Sequence, residues 1–341
     1  MTSRELVLST LEFRNTTGRV PRHLWALPWA ERNHPGSIER ITKDYPEDIT
    51  GSPQFLREKV QIVKGDPYAI GEYVDEWGCV FNNIHDGIIG EVKHPLVHPD
   101  DEDWEDTSAI NIPVEYLSTN KNDVKNFCAS TDKFVQSPCL ARPFEQLQFI
   151  RGTENLYIDL MDPPEKMLEF IKKMHNFYKE LVTIWCDTDV DGIFFMDDWG
   201  SQNSLLINPT IWDQIFAPLY KDYIDIAKSR GKKTFMHSDG NTTSILPRLI
   251  ELGLDAFNSQ LFCAGVPYYS PFKGKITFWG EIDRQHILPD PDTEKARAAV
   301  RSVYETLWAN GGCIAQCEFS AGSNPDTVYA VYDEWAKVLP C

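Results

Sequence analysis

The sequence predicts an α/β fold, a (β/α)8 barrel of the TIM type with an N-terminal excursion over the barrel mouth. Two observations point to it. From about residue 190, short apolar runs alternate with amphipathic helical patterns, as consecutive βα units on a parallel sheet do. Each apolar run ends in polar or charged residues, and in a parallel barrel such residues gather at the C-terminal mouth. A length of 341 residues suits one such barrel, and no repeat or low-complexity linker interrupts it, so 1–341 reads as a single domain.

The first 130 residues are rich in Pro, Asp and Asn and show no sustained period in segments such as HPGSIERITKDYPEDITGSP and HPLVHPDDEDWEDT. They read as helices and excursions covering one mouth. KFVQSPCL is a strand, and DPPEKMLEFIKKMHNFYKELVTIW an amphipathic helix. DGIFFMDDWG is a strand ending near Met196, and Asn208-Pro209 caps a helix running to Gly231. KKTFMHSDGN is the next strand. Thr242 or Thr243 caps a helix through Leu252, and DAFNSQ and KITFWGEID are strands. A long helix spans Thr293 to Asn310 and stops at Gly311-Gly312, followed by the last strand, GCIAQCEFS. Asn324-Pro325 opens a terminal helix whose Val328, Val331, Tyr332, Trp335 and Val338 lie at helical spacing and pack on the barrel.

Composition narrows the function. The 42% hydrophobic and 12% aromatic fractions supply a sizeable core and exclude a disordered chain. A net charge of -18 repels phosphate backbones and anionic lipid, which excludes nucleic acid as a partner. That acidity serves solubility or offers a face to a basic partner. Eight cysteines, at 79, 128, 139, 186, 263, 313, 317 and 341, form no CxxC pair and no disulfide framework, which fits a reducing compartment. With neither a signal-peptide pattern nor an apolar run of membrane-spanning length, the chain reads as cytoplasmic.

The strand ends carry the candidate chemistry. IFFM ends in Asp197 and Asp198, KTFM in His237 and Asp239, DAFN in Ser259 and Gln260, ITFWG in Glu281 and Asp283, and CIAQ in Cys317 and Glu318. His237, Asp239, Glu281, Cys317 and Glu318 are candidate metal ligands, and three or four of them from different strands suit a zinc with an open position. Asp239 is equally placed to cap the segment after it. Asp198, His237 and Glu281 are the catalytic candidates. Only one of Asp197 and Asp198 can face inward, and Asp198 shares its side with Phe194 and Met196. Asp197, Trp199, Gln260 and Trp279 are candidate substrate contacts. His85, His94 and His98 read as loop residues, and Arg19 and Arg22 as solvated.

At these residues the chain resembles the uroporphyrinogen decarboxylase superfamily, over roughly 145–341. The likeness lies in DDWGSQ, in NPTIWDQIFAPLYKDYIDIAKSRGKKTFMHSDGNTTSILPRLIELGLDAFN, in ITFWGEID and in GGCIAQCEFSAGSNPDTVYAV. The superfamily includes decarboxylases and corrinoid-dependent zinc methyltransferases. The decarboxylases' N-terminal arginine motif and serine-aspartate motif are missing here; TGRVPRHLWALPWAERN and GEYVDEWGCVF stand in their places. The methyltransferases' zinc site is a His-x-Cys pair and a cysteine on the last strand. His237 matches the histidine, Asp239 falls on the first cysteine, and Glu318 on the second with Cys317 beside it.

The resemblance implies a zinc-dependent methyltransferase moving a methyl group between a small O- or N-methylated substrate and a corrinoid carried by a partner protein. Oxygen ligands suit an ether or phenolate oxygen better than a thiol. A homodimer is a further expectation from the superfamily. Two other readings stay open. Decarboxylation of a porphyrinogen or other polycarboxylate requires Arg19, Arg22, Arg142 or Arg151 to point inward. A non-catalytic binding barrel requires a pocket without ligands ordered around His237. Methyl transfer instead requires Glu281, Glu318 or Asp239 at ligand distance from His237.

Overall fold

The structure, a computed structural model, describes residues 1–338; Cys341 lies outside the described residues. Eleven strands occur among them: β1 Arg22–Ala26, β2 Ile49–Gly51, β3 Gly71–Val74, β4 Val80–Asn83, β5 Glu91–Val92, β6 Phe134–Cys139, β7 Gly192–Met196, β8 Lys233–Ser238, β9 Ala256–Ser259, β10 Thr277–Trp279 and β11 Cys313–Phe319. Eight form a parallel sheet in the order β1-β11-β10-β9-β8-β7-β6-β2. The sheet curls into a nearly closed barrel. At the seam between β1 and β2, Arg22 N–H donates to Asp48 Oδ2 at 2.9 Å and Leu24 N–H to Glu47 Oε1 at 3.0 Å. Side chains thus satisfy edge groups that a full ladder would otherwise pair.

The alternation of strands sorts the side chains into two sets. Ile49, Phe134, Phe235, Ala256, Trp279 and Ile314 form an inner cluster, with Trp25 and Phe194 packed against it. Val135, Ile193, Phe195, Met236, Phe257, Phe278, Ala315 and Cys317 belong to the larger outer core under the helices. Val7 and Leu11 of the helix Ser3–Leu11 join the inner cluster, so this helix closes the N-terminal end of the barrel. The C-terminal end is left for chemistry, as the fold dictates.

The helices follow from local sequence. Glu165–Cys186 buries Met167, Phe170, Ile171, Met174, Phe177, Tyr178, Leu181, Val182 and Trp185, an apolar stripe of period near 3.6. Asn208 caps the next helix through Thr210 N–H, and a wide π turn at Trp212–Phe216 precedes Ala217–Ser229. Pro218 explains that turn: it has no N–H and its ring crowds the preceding turn. Asn324 caps Pro325–Trp335, whose Val328, Val331, Tyr332 and Trp335 are buried as its spacing predicts, and Val338 beyond it is partly buried against the same core.

Three expectations need correction. The helix ending at Leu252 begins at Leu246, not at Thr242 or Thr243; Thr242 receives the Leu246 N–H on its backbone carbonyl, and its buried hydroxyl caps nothing. The helix from Thr293 ends at Leu307, three residues before Asn310, because Trp308 is extended. The N-terminal region does more than cover a mouth, since it supplies β1 and β2. RHLWA and ITG are too short and too polar to read as strands. The rest forms a small antiparallel sheet, β3-β4-β5, and loops whose Glu76, Trp77, Pro113 and Tyr116 meet the ends of β6 and β7. No helix of the described residues is long and apolar enough to cross a membrane.

Candidate active site

The inner face continues upward in steps of two residues. Above Phe194, Phe235, Ala256 and Trp279 come Met196, His237, Asn258 and Glu281, and above those Asp198, Asp239 and Gln260. Cross-strand pairing of Met196 with His237, and of His237 with Asn258, sets the first of these levels. His237 is the centre. Its Nδ1 lies 2.6 Å from Asn258 Oδ1, while the Asn258 amide donates to the carbonyl of Trp279. That pattern puts the proton on Nδ1 and leaves Nε2 as the ring nitrogen facing the mouth. Nε2 stands 3.4 Å from Asp239 Oδ1 and 3.5 Å from Asp198 Oδ1. The ring of Trp25 lies 5.2 Å from the imidazole, on the level below.

Each carboxylate is held from behind. Asp198 accepts the backbone N–H of Asp239 at 3.0 Å. Gln260 donates to Asp239 Oδ1 at 2.8 Å and accepts from Gly240 N–H at 3.0 Å. Gly240, at φ 74°, lies so close to Gly200 that any side chain there would collide with its backbone, so the close approach of these two strand ends requires glycine. Arg284, unnoticed in the sequence, binds Asp239 Oδ2 and sits 3.2 Å from Glu318 and 3.9 Å from Glu281. A surface cleft lined by Gln260, Glu281 and Arg284 opens beside them.

Burial makes these charges strong. It works against a charged His237, but Asp239 at contact distance and the neighbouring Asp198 overcome it and raise the imidazole pKa. Burial likewise favours a neutral Asp239, yet His237 and Arg284 hold it below the ordinary carboxylate range. Glu281 is 2% exposed and its Oε1 has no hydrogen-bond partner. Desolvation pushes its pKa up to about 8, against the pull of Arg284. Glu145, which also reaches the mouth, is raised by burial to about 7.

Asp198, His237 and Asp239 each offer a ligand atom within 4.8 Å of the others. Two carboxylate oxygens and an imidazole Nε2, which a bound metal would strip of its proton, are a donor set suited to zinc or a similar divalent ion, and the Asn258 contact supplies the orienting hydrogen bond that metal-binding histidines use. The residues present therefore fit the metal.

Several sequence candidates stand elsewhere. Cys317 points outward, where its thiol faces the Tyr332 hydroxyl at 3.7 Å; one residue of strand register separates it from the mouth. Glu318 does face the mouth, but it is bound to Arg284. Asp197 is wholly buried behind β7, accepting from the Tyr220 hydroxyl and from the N–H groups of Phe144 and Glu145 at 2.9 and 2.7 Å. It is the anchor of the helix Pro143–Arg151 and has no access to a substrate. Trp199 is core, stacked on Phe144 at 4.0 Å. Trp279 lies inside the barrel, donating to His23 Nδ1 at 3.2 Å beneath the site. His85, His94 and His98 are exposed, as expected.

The arginines required for a polycarboxylate are mostly absent from the mouth. Arg19 pairs with Asp48 and Arg22 packs on Tyr45 at the opposite end, while Arg151 is buried on Asp159. Only Arg142 of the four reaches the mouth, where the methyl-transfer requirement of a ligand-distance carboxylate at His237 is met by Asp239.

The family profile for uroporphyrinogen decarboxylase (URO-D) matches residues 140–337, more than half of the chain. The protein belongs to the uroporphyrinogen decarboxylase family. Among solved structures, this family member is similar to a methyltransferase from Methanosarcina mazei, with TM-score 0.68 and 12% identity over 98% of each chain, a likeness of fold. A B12-independent methionine synthase from Shewanella sp. W3-18-1 also matches, with TM-score 0.46 and 13% identity over 95% of this chain and 96% of the other. No curated protein matches the sequence. In this uroporphyrinogen decarboxylase barrel, Asp239 stands beside His237 and Cys317 is turned away.

Proposed function

We propose that the protein transfers a methyl group from a small O- or N-methylated compound to a corrinoid carried by a partner protein, using a zinc ion held by Asp198, His237 and Asp239. The observation that supports this is the His237 imidazole, tied through Nδ1 to Asn258 and presenting Nε2 between two carboxylates. Bound zinc would supply Lewis-acid polarisation of the heteroatom that loses its methyl group. Oxygen donors make the site harder than a thiolate site, which favours an ether or phenolate oxygen.

A reduced corrinoid on the partner would supply the electron pair that the methyl carbon takes up, while the pair of the broken carbon–heteroatom bond would stay on the heteroatom. The released heteroatom then takes up a proton. Glu281 is the donor: it is buried beside the cluster, its Oε1 has no partner, and burial raises its pKa above the ordinary carboxylate range. Asp198 is committed to the metal. Gln260 and Arg284 orient Asp239. On this reading the chain works as one domain, 1–341, in a reducing cytoplasm, where its seven described free thiols persist.

The test is methyl transfer to free cob(I)alamin from a panel of methyl ethers and methylamines, followed by the absorbance of methylcobalamin. Zinc-loaded protein is expected to methylate cobalamin from at least one ether, and failure across the panel would contradict the proposal. Glu281→Gln should slow transfer by about 10²-fold or more with metal content unchanged. An unaltered rate would remove Glu281 from the proton-donor role.

A further inference from the structure

Next to the His237 cluster, under the N-terminal excursion, lies a cavity of about 230 Å³ that the metal site does not use. Its walls include Trp77, Tyr116, Phe177, Tyr178 and Met196, and Arg142 stands in it. The Arg142 guanidinium makes no hydrogen bond among the described residues. Its nearest carboxylate oxygen, on Glu145, is 3.9 Å away, and the ring of Phe149 lies 5.3 Å from it. The Arg142 side chain is 26% exposed and finds no protein acceptor for its N–H groups, so it is open to a ligand anion, and a planar carboxylate is the acceptor whose two oxygens match that fork.

We propose that this cavity seats the acid end of the methyl donor, and that the donor is a flat, single-ring aromatic carboxylate bearing the methylated oxygen. The inference rests on the methyl-transfer reading and names its substrate class. The aromatic walls supply the flat surfaces: Trp77 meets Phe177 at 86° and Tyr178 at 55°, leaving ring faces and edges to line the space. Met196 connects the two sites, since it lines the cavity and pairs across strands with His237. A ring held by Arg142 and lying along Met196 therefore directs its far substituent toward His237.

Charge and volume set the limits of the class. An ammonium at the end held in the cavity would bring a second positive charge to Arg142, so the cavity selects an acid over an amine at that end. Glu76, which also lines the cavity, and Glu145 repel a second carboxylate, so the acid is monobasic. A volume of about 230 Å³ takes one ring and has no room for the four of a porphyrinogen.

The experiment is titration calorimetry of the whole protein with 4-methoxybenzoate, anisole and 4-methoxybenzylamine, supported by quenching of tryptophan fluorescence. The variants are Arg142→Met, which keeps an apolar stem, and Leu181→Phe, which fills the cavity from its wall and leaves the arginine in place. The expected result is that 4-methoxybenzoate binds the wild type more tightly than the amine does. Arg142→Met should weaken it by about tenfold or more while leaving anisole unchanged, and Leu181→Phe should weaken both neutral and acidic rings. A smaller loss in Arg142→Met, preference for the amine, or no binding of the acid to the wild type would overturn the assignment. Zinc content is measured on the same samples: an Arg142 effect with zinc absent sinks the metal reading alone, and zinc present without an Arg142 effect sinks this inference alone.

Discussion

At the scale of single residues, Asn258 decides what His237 can do. Its Oδ1 takes the proton side of the imidazole, and its amide is fixed by the Trp279 carbonyl, so the ring neither flips nor changes tautomer. Asn258→Ala is expected to lower zinc affinity by about 10- to 100-fold, measured by competition with a chromogenic chelator. Equal affinity in the two proteins would show that Asn258 is dispensable. His237, Asp239, Asp198 and Glu281 were legible in the sequence because each follows an apolar run by one or a few positions. Asn258 was not, since it sits inside the run AFNS and is polar for the sake of its neighbour. Arg284 was missed as a site residue because it lies past the strand in a loop, whereas Arg142, the residue before a helix-opening proline, entered only as one of four arginines that decarboxylation would need. Cys317 misled because a thiol was expected near that position, while the period of two turns it to the opposite face.

At the scale of elements, strand alternation does most of the sorting. Asp197 and Asp198 are neighbours with opposite duties. Asp198 belongs to the mouth, and Asp197 ties the end of β7 to Tyr220 and to the first turn of the helix Pro143–Arg151. Asp197→Asn is expected to cost about 2 kcal/mol in urea denaturation, because one of its two accepting oxygens becomes an amide among buried donors, with bound zinc retained. A stable variant, or one that loses zinc selectively, would contradict this division. The βα units from β6 onward were legible because their apolar runs and helical stripes are long enough to show a period. β1 and β2 were not. Their inward residues include His23 and Trp25, and β2 spans three residues, so neither offers an apolar run. The barrel's closure supplies what their sequence lacks.

At the scale of the whole molecule, the two ends of the barrel are unlike. The N-terminal end is sealed by the helix Ser3–Leu11, and the C-terminal end gathers charge over an aromatic floor. His23 lies in that interior, its ring parallel to that of Trp279 with centroids 5.5 Å apart, and burial lowers its pKa to about 3 from an ordinary value near 6.5. Below pH about 6.5 the unfolded chain therefore binds a proton that the folded chain refuses. The stability His23 contributes is complete above that pH and is lost progressively as pH falls toward 3. His23→Asn should flatten the acid side of the Tm profile between pH 6.5 and 4, and an unchanged slope would contradict the account of this residue. The central claim is the metal site, and its most direct test is zinc analysis of the purified protein beside the His237→Ala variant. The account predicts stoichiometric zinc in the first and its loss in the second, with both folded by circular dichroism. Wild-type protein that takes up no divalent metal, or a His237→Ala variant that keeps it, would contradict the account.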